Sequence, residues 1–413
     1  MKAKKNNFLF YTDWDDSVTG SAPALAGTLA AFATEFGLSG NVWQQWLTYI
    51  LMMHDNAFTL ACERREVLPD STLVKLAKRD MGIFMELFRT EEADFDEDEG
   101  LLPMMLSYKA PYEDACTTDA GRRIKELSCR LAAAEDSEEF TRTLMDHYEK
   151  YGAGMYGLYK AFRVDPSSGG TAELKLIPVT DSADVSFDDL IGYEPQKKTL
   201  RDNTEAFVSG RYANNVLLYG DSGTGKSTSV HALMHEYSDR GLRLIEVSKT
   251  DRSRIPQILS AIKKRNYRFI LFLDDLSFEE DESDYKELKA MLEGALETRS
   301  DKVLIYATSN RRHLIRETWG DRSDMEYNED IHRSDTMEEK LSLAGRFGVT
   351  IYYPKPGPRD YLEIVRSLAA RKGIELSGKD LEDAARKWEL RHGGMSGRTA
   401  SQLITWLGGT ENK

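Results

Sequence analysis

Cysteine, long apolar runs and excess basic charge are all scarce in this chain, and each scarcity excludes something. Three cysteines, Cys62, Cys116 and Cys129, stand far apart and are odd in number. They match no metal-ligand spacing, and they describe buried or free thiols of a reducing cytosol rather than a disulfide framework. No apolar run approaches the roughly 18 residues of a membrane-spanning helix. The charged start, Met1-Lys2-Ala3-Lys4-Lys5, has no long apolar segment behind it as a secretion signal would. A cytoplasmic location and no membrane partner are the expectation. Lys and Arg number 55 against 69 Asp and Glu, for a formal net charge of −14. That balance disfavours broad attachment to nucleic acid, though it leaves room for a local basic patch. What is present, 41% hydrophobic and 30% charged residues over 413 positions, is the composition of a globular protein with two or three domains.

The first stretch, about Ala24 to Tyr151, reads as mostly helical. Ala24, Leu25, Leu29, Phe32, Ala33 and Phe36 follow a 3.6-residue period, with Gly37 as a stop. The pattern predicts a second helix over Val42–Arg64, carrying Trp43, Trp46, Leu47, Ile50, Leu51 and Phe58, and a third over Ser71–Phe88. Such an aromatic stripe describes core before it describes a binding groove. Glu91 to Glu99 holds seven carboxylates in nine residues and reads as a solvated loop. Helical character resumes over Ser128–Tyr151. No catalytic constellation appears in this region, and His54 and His147 are assigned structural or surface roles.

Asp165-Pro-Ser-Ser-Gly-Gly-Thr breaks the composition. It suggests a helical N-terminal domain over 1–165, a linker over 166–185 with a short strand at Leu174–Val179, and a second domain beyond. There the strand candidates are Val216–Tyr219, Arg243–Val247, Phe269–Leu273, Val303–Ala307 and Val349–Tyr353. Amphipathic helices lie between them, the clearest at Tyr285–Glu297. Five strands alternating with helices predict an α/β fold with a parallel sheet covered on both faces. After Pro354-Lys-Pro-Gly-Pro, three helices over Arg359–Lys372, Lys379–Glu389 and Ser396–Leu407 form a small helical domain. The boundaries are 186–355 for the core and 356–413 for the tail.

The strongest motif lies at Gly220–Ser227, where Gly220, Asp221, Ser222, Gly223, Thr224, Gly225, Lys226 and Ser227 fit G-x-x-x-x-G-K-[ST] between a strand and a helix that continues with Thr228. Glycines there let successive N–H groups surround a phosphate at a helix N-terminus. Lys226 can reach the β- and γ-phosphates, and Ser227 can ligate Mg²⁺. About fifty residues on, the apolar run Phe269–Leu273 ends in Asp274-Asp275. Asp274 is placed to hold Mg²⁺ and Asp275 to act as general base, with Glu279 and Glu280 as alternatives because Asp is a methylene shorter than Glu. Val303–Asn310 forms a further core strand ending in polar groups, and Asn310 is suited to bond the γ-phosphate and the lytic water.

These segments resemble an AAA+ ATPase. The wording is most similar to the prokaryotic AAA+ family catalogued as domain of unknown function 815, through Ile-Gly-Tyr-Glu-Pro-Gln-Lys at 191–197, Leu-Asp-Asp-Leu-Ser-Phe-Glu at 273–279, Ala-Thr-Ser-Asn-Arg-Arg-His-Leu at 307–314 and Ser-Gly-Arg-Thr-Ala at 396–400. The resemblance implies an AAA+ core and a helical lid, with ATP and Mg²⁺ as ligands. It implies that Ile191, Gly192 and Tyr193 lie against the adenine and that Arg398 is the lid arginine sensing the γ-phosphate. Arg346 stands where the family often has an arginine finger acting from a neighbouring subunit, in competition with Arg322 and Arg333. A homo-oligomer follows, as a ring or an ATP-dependent assembly. The cluster Arg311, Arg312 and Arg316 suits either a partner contact or a solvated helix face, and the long polar run Arg316–Thr336 suits a mobile or functional loop. Two functions are expected to compete: an ATPase driving change in a partner bound by the N-terminal domain, and an ATP-binding switch with little turnover. Nucleic acid is the weaker partner and a kinase the weaker activity, since no acceptor site is recognisable.

Overall fold

A computed structural model describes residues 8–12, 22–91, 100–111, 118–168, 174–180, 185–276, 292, 301–310, 345–374 and 376–411. All but residue 292 of the expected helix Tyr285–Glu297, together with Cys116, the bulk of the acidic run at 91–99, Glu279, Glu280, Arg322, Arg333 and the residues 311–336, lie outside these residues. The chain divides into two compact units, Met1–Tyr159 and Lys160–Lys413.

The first unit is helical among its described residues: α1 (Ala22–Phe36), α2 (Val42–Met53), α3 (Ala57–Glu63), α4 (Thr72–Phe88), α5 (Leu101–Leu106), α6 (Asp119–Ala132), α7 (Ser137–Tyr151) and α8 (Gly154–Leu158). The expected helix Val42–Arg64 is two helices. Asn56 accepts the N–H groups of Phe58 and Thr59 while the Thr59 hydroxyl receives the Asn56 N–H, so a capping box starts α3 where the apolar periodicity runs on unbroken. The same holds downstream, where Asp136 caps α7 and ends a pattern that otherwise continues from α6. The aromatic stripe is core: Trp43, Trp46, Leu47, Leu51 and Phe58 are all buried in one cluster. Trp43 Nε1 and Gln44 Nε2 donate to the carbonyls of Leu87 and Phe88 at 2.8 and 2.7 Å, satisfying the end of α4 from α2. A fully buried Asp80 accepts the N–H groups of Leu9 and Phe10 and fixes the leading segment on the bundle.

Lys160–Lys413 is built on a seven-stranded sheet. Its strands are β1 (Ala161–Val164), β2 (Leu176–Pro178), β3 (Val216–Gly220), β4 (Leu242–Glu246), β5 (Arg268–Leu273), β6 (Val303–Ser309) and β7 (Val349–Tyr353), in the order β2-β1-β4-β5-β6-β3-β7. The five expected strands are present and mutually parallel. Two more extend the sheet: β1 runs parallel to β4 and β2 antiparallel to β1. Residues 161–164 and 176–178, assigned by sequence to the N-terminal domain and a linker, are thus strands of the second unit. Four residues, Ala-Phe-Arg-Val, are too few to show a period ahead of a Pro-Gly break.

One face of the sheet, through Val216, Leu218, Ile270, Phe272, Tyr306, Ile351 and Tyr353, packs on α9 (Glu194–Val208) and α10 (Lys226–Tyr237) through Leu200, Phe207, Val230 and Leu233. A shorter α11 (Ile255–Ile262) buries Ile255, Ile258 and Ile262. Beyond β7, helices α12 (Pro358–Lys372), α13 (Gly378–Arg391) and α14 (Gly397–Glu411) pack around Tyr361, Val365, Leu381, Leu403 and Ile404 as a small helical lid. Gly373 ends α12 at φ +68, as an αL cap requires. Arg371 of α12 pairs with Asp189 at 2.7 Å, tying the lid to the turn before α9.

Candidate active site

The phosphate loop joins β3 to α10, with β6 on one side of β3 and β7 on the other. Three glycines shape it, each with positive φ: +138 at Gly220, +76 at Gly223 and +91 at Gly225. A Cβ on Gly220 would stand 2.1 Å from the Tyr353 carbonyl oxygen, and one on Gly225 2.2 Å from Leu190 Cδ1. Neither position can hold a side chain without displacing a strand end or a core leucine. Gly225 also begins α10 without a side-chain cap, so the first N–H groups of the helix face the loop unclaimed by a capping side chain. Thr224 is buried and its hydroxyl bonds the Asp221 carbonyl at 2.9 Å; Asp221 and Ser222 are exposed, and Ser227 and Thr228 are half-buried on the first turn of α10.

Lys226 is the buried cation of the loop. Its Nζ donates to Gly220 O at 2.8 Å, Asp221 O at 2.6 Å and Asn310 Oδ1 at 3.1 Å. Burial pulls its pKa below the usual lysine range; Asp221, Asp274 and Asp275 oppose that shift and Arg398 adds to it. Asn310 in turn donates Nδ2 to Asp275 Oδ1 at 3.1 Å. Ser227 donates its hydroxyl to Asp274 Oδ1 at 2.7 Å, and Thr308 donates to the same oxygen. Lys226, Asn310 and Asp275 therefore form one chain of contacts, which Thr308 joins to Asp274 by accepting the Asp275 N–H. Thr308 lies in the 307–314 segment but the sequence assigns it no role, because its contacts depend on the register of β5 against β6.

Gly192 and Tyr193 both take left-handed backbone, at φ +78 and +63, which turns the chain into α9. The Tyr193 ring packs at a tilt against Tyr353, centroids 5.2 Å apart, and its hydroxyl donates to Pro354 O at 2.9 Å. Ile191 packs against the lid cluster and Tyr193 against the sheet cluster, so these neighbours line the junction of core and lid. From the lid, Gly397 N–H donates to Gly223 O at 3.0 Å, and a Cβ on Gly223 would meet Ser396 Oγ at 3.0 Å and Arg398 Cβ at 3.1 Å. Arg398 thus begins α14 directly against the phosphate loop. Arg346 is elsewhere. It precedes β7, whose far residue Tyr353 is the one that pairs with Gly220, and it takes no part in the contacts just described.

This donor set fits a magnesium nucleotide. A glycine cradle without room for side chains faces uncapped helix N–H groups, a buried lysine sits within it, and a hydroxyl–carboxylate pair offers oxygen ligands to a hard cation. Among the described residues no group of three or more His, Cys, Asp or Glu is placed for a metal, so such a cation would rely on Ser227, Asp274 and nucleotide oxygens. Of the thiols, Cys62 is buried, its pKa pushed up to about 12 by burial, and Cys129 is exposed. Among the described residues no helix is long and apolar enough to cross a membrane.

A loop-bearing strand between the asparagine strand and the sheet edge, with a helical lid seated on the loop, defines a P-loop ATPase of the AAA+ class. Residues 159–411 match the model of a family described as protein of unknown function (DUF815), and the chain belongs to that family. It is also similar to proteasome-activating nucleotidase 2 of Haloferax volcanii, 24% identical over 232 residues, 51% of this chain and 54% of that protein. The replication factor C large subunit of Methanococcus vannielii is 28% identical over 117 residues, 27% of this chain and 24% of that protein. Among solved structures, the Thermotoga maritima RuvB Holliday junction branch migration motor aligns at 19% identity and a TM-score of 0.38, over 54% of this chain and 63% of that one. The chain spans about half the length of the first of these curated relatives.

Proposed function

We propose that this protein hydrolyses Mg²⁺-ATP and uses the accompanying lid movement to change a partner held by the helical N-terminal unit. The observation that carries the reading is the chain Lys226–Asn310–Asp275 beside Ser227–Asp274, which joins a phosphate-binding cation to a general base through a single amide. Bound Mg²⁺ would be held by Ser227 and Asp274 and would supply charge neutralisation for phosphoryl transfer. Asp275 takes the proton of the attacking water, and Asn310 fixes the orientation of that carboxylate. Lys226 and Arg398 offset the negative charge that develops on the phosphate oxygens, one from the loop and one from the lid. Ile191, Gly192 and Tyr193 would line the base, where core and lid meet. The family setting and the nucleotidase relative support ATP as the fuel.

Arg346 acts on a second copy of the chain in this reading. Strand rise of about 3.3 Å per residue puts the start of β7 roughly 13 Å from the level of Gly220. Arg346 precedes that start, a separation from its own loop that suits a finger serving a neighbour. ATP-dependent assembly, lost on Arg346→Ala, is the expected behaviour by mass in solution. Phosphate release from purified protein tests the enzyme. Turnover that depends on Lys226 is expected, whereas retained ATP binding with turnover no faster than Lys226→Ala would leave a nucleotide-gated switch. No membrane contact is part of the reading, and the expected setting is cytoplasmic.

A further inference from the structure

The β5–β6 ladder runs in register up to Leu273 opposite Ala307. The chain then turns around the next residue of β6. Thr308 is 2% exposed, and it touches three successive residues of that turn. Its Oγ1 donates to Asp274 Oδ1 and accepts the Asp275 N–H at 2.9 Å, while its main-chain oxygen accepts the Leu276 N–H at 2.7 Å. Within this clamp Asp275 has φ +51, a left-handed conformation that non-glycine residues seldom adopt. The hydroxyl has one proton to give, and it goes to the Asp274 carboxylate. Its lone pair receives the N–H of the turned residue, a donor that the ladder no longer supplies with a partner.

Resting on the ATPase reading above, we infer that Thr308 is the positioning residue of this site. Its hydroxyl holds the Asp274 carboxylate toward the cation position and locks the left-handed turn that aims Asp275 at Asn310. The turn explains how a carboxylate one methylene shorter than glutamate reaches its place: the backbone is rotated where a longer side chain would otherwise extend. Ser227 and Thr308 converge on the same oxygen of Asp274, so the carboxylate is fixed from α10 and from β6 at once. Supporting groups of this kind typically change activity or cation affinity about 10- to 100-fold when removed.

The test compares Thr308→Val, which keeps the shape and removes the hydroxyl, with Thr308→Ser, which restores it. In the nucleotide-free full-length chain, amide hydrogen exchange over residues 270–276 should accelerate about tenfold or more in the valine variant and stay near wild type in the serine variant. Turnover should fall about 10- to 100-fold in the valine variant, with the Mg²⁺ concentration for half-maximal rate raised about tenfold and the KM for ATP changed less than about threefold. Serine should bring all three back. Wild-type exchange and kcat in the valine variant, or a serine variant as impaired as valine, would overturn the inference. Should valine not fold, Thr308→Ala against Thr308→Ser carries the same comparison. A wild-type chain without turnover sinks the ATPase reading, and the exchange measurement alone then decides whether the clamp exists.

Discussion

The two units use buried polar groups in opposite ways. In the helical unit buried polar groups close on nearby main chain: Asp80 on the Leu9 and Phe10 amides, Tyr148 on the Leu51 carbonyl, Glu63 on the Ala153 amide. In the sheet unit Lys226, Asn310, Asp275, Thr308, Asp274 and Ser227 converge from the ends of two strands and from a helix upon one loop. Closure on itself makes structure; convergence on a shared space makes a site. The difference can be broken or sharpened by substitution in each half.

The largest effect belongs to Lys226→Ala. Loss of the one buried loop cation should lower turnover about 1,000-fold, while thermal unfolding of the helical unit stays unchanged. Phosphate release and a melting curve on the same sample check both halves of that statement. Asp80→Ala should do the reverse. It leaves two amides without their acceptor, costs the helical unit about 3 kcal/mol by denaturant unfolding, and leaves turnover within about twofold.

Acid should discriminate between the units next. His147 is buried against Tyr151, and burial, with Arg123, Arg130 and Lys150 adding to it, lowers its pKa from 6.5 to about 3. Its folded pKa lies below the unfolded one, so the neutral form is the one that folds. Stability is then fully present above pH 6.5 and is lost as pH falls toward 3, because the unfolded chain takes up a proton that the folded chain refuses. Between pH 7 and pH 5 the loss is about 2 kcal/mol. His147→Gln should flatten that slope, and a slope unchanged by the substitution would show that other groups carry it. The smallest effect is expected from Tyr193→Phe, which removes the bond to Pro354 O. It should cost about 1 kcal/mol in the sheet unit and leave the helical unit untouched.

Legibility differed between the halves for the same physical reason. The phosphate loop has a fixed spacing because a phosphate has a fixed size, so Gly220 to Ser227 could be read residue by residue. Asp274 and Asn310 followed as polar ends of apolar strands, and the three lid helices showed their period and their Gly and Pro stops. Thr308 could not be read, since its contacts arise from strand register rather than from neighbours in sequence. Strand β1 was too short to declare itself, and the break at Asn56 depends on a side chain capping its own backbone without a Gly or Pro to announce it. Arg346 was placed relative to β7 by sequence, and the register of β7 against β3 adds only which end of the sheet it occupies.

The hydrogen bond from Gly397 to Gly223 makes α14 a lever. Its 15 residues extend about 22 Å from that contact at the helical rise of 1.5 Å per residue. A tilt of 5° at the phosphate loop would carry the far end through roughly 2 Å over that length. That is enough to unseat one packed side chain from its socket. A change too small to see at the fulcrum is thus legible at the tip, where a label at the C-terminal end of α14 would report the state of the loop.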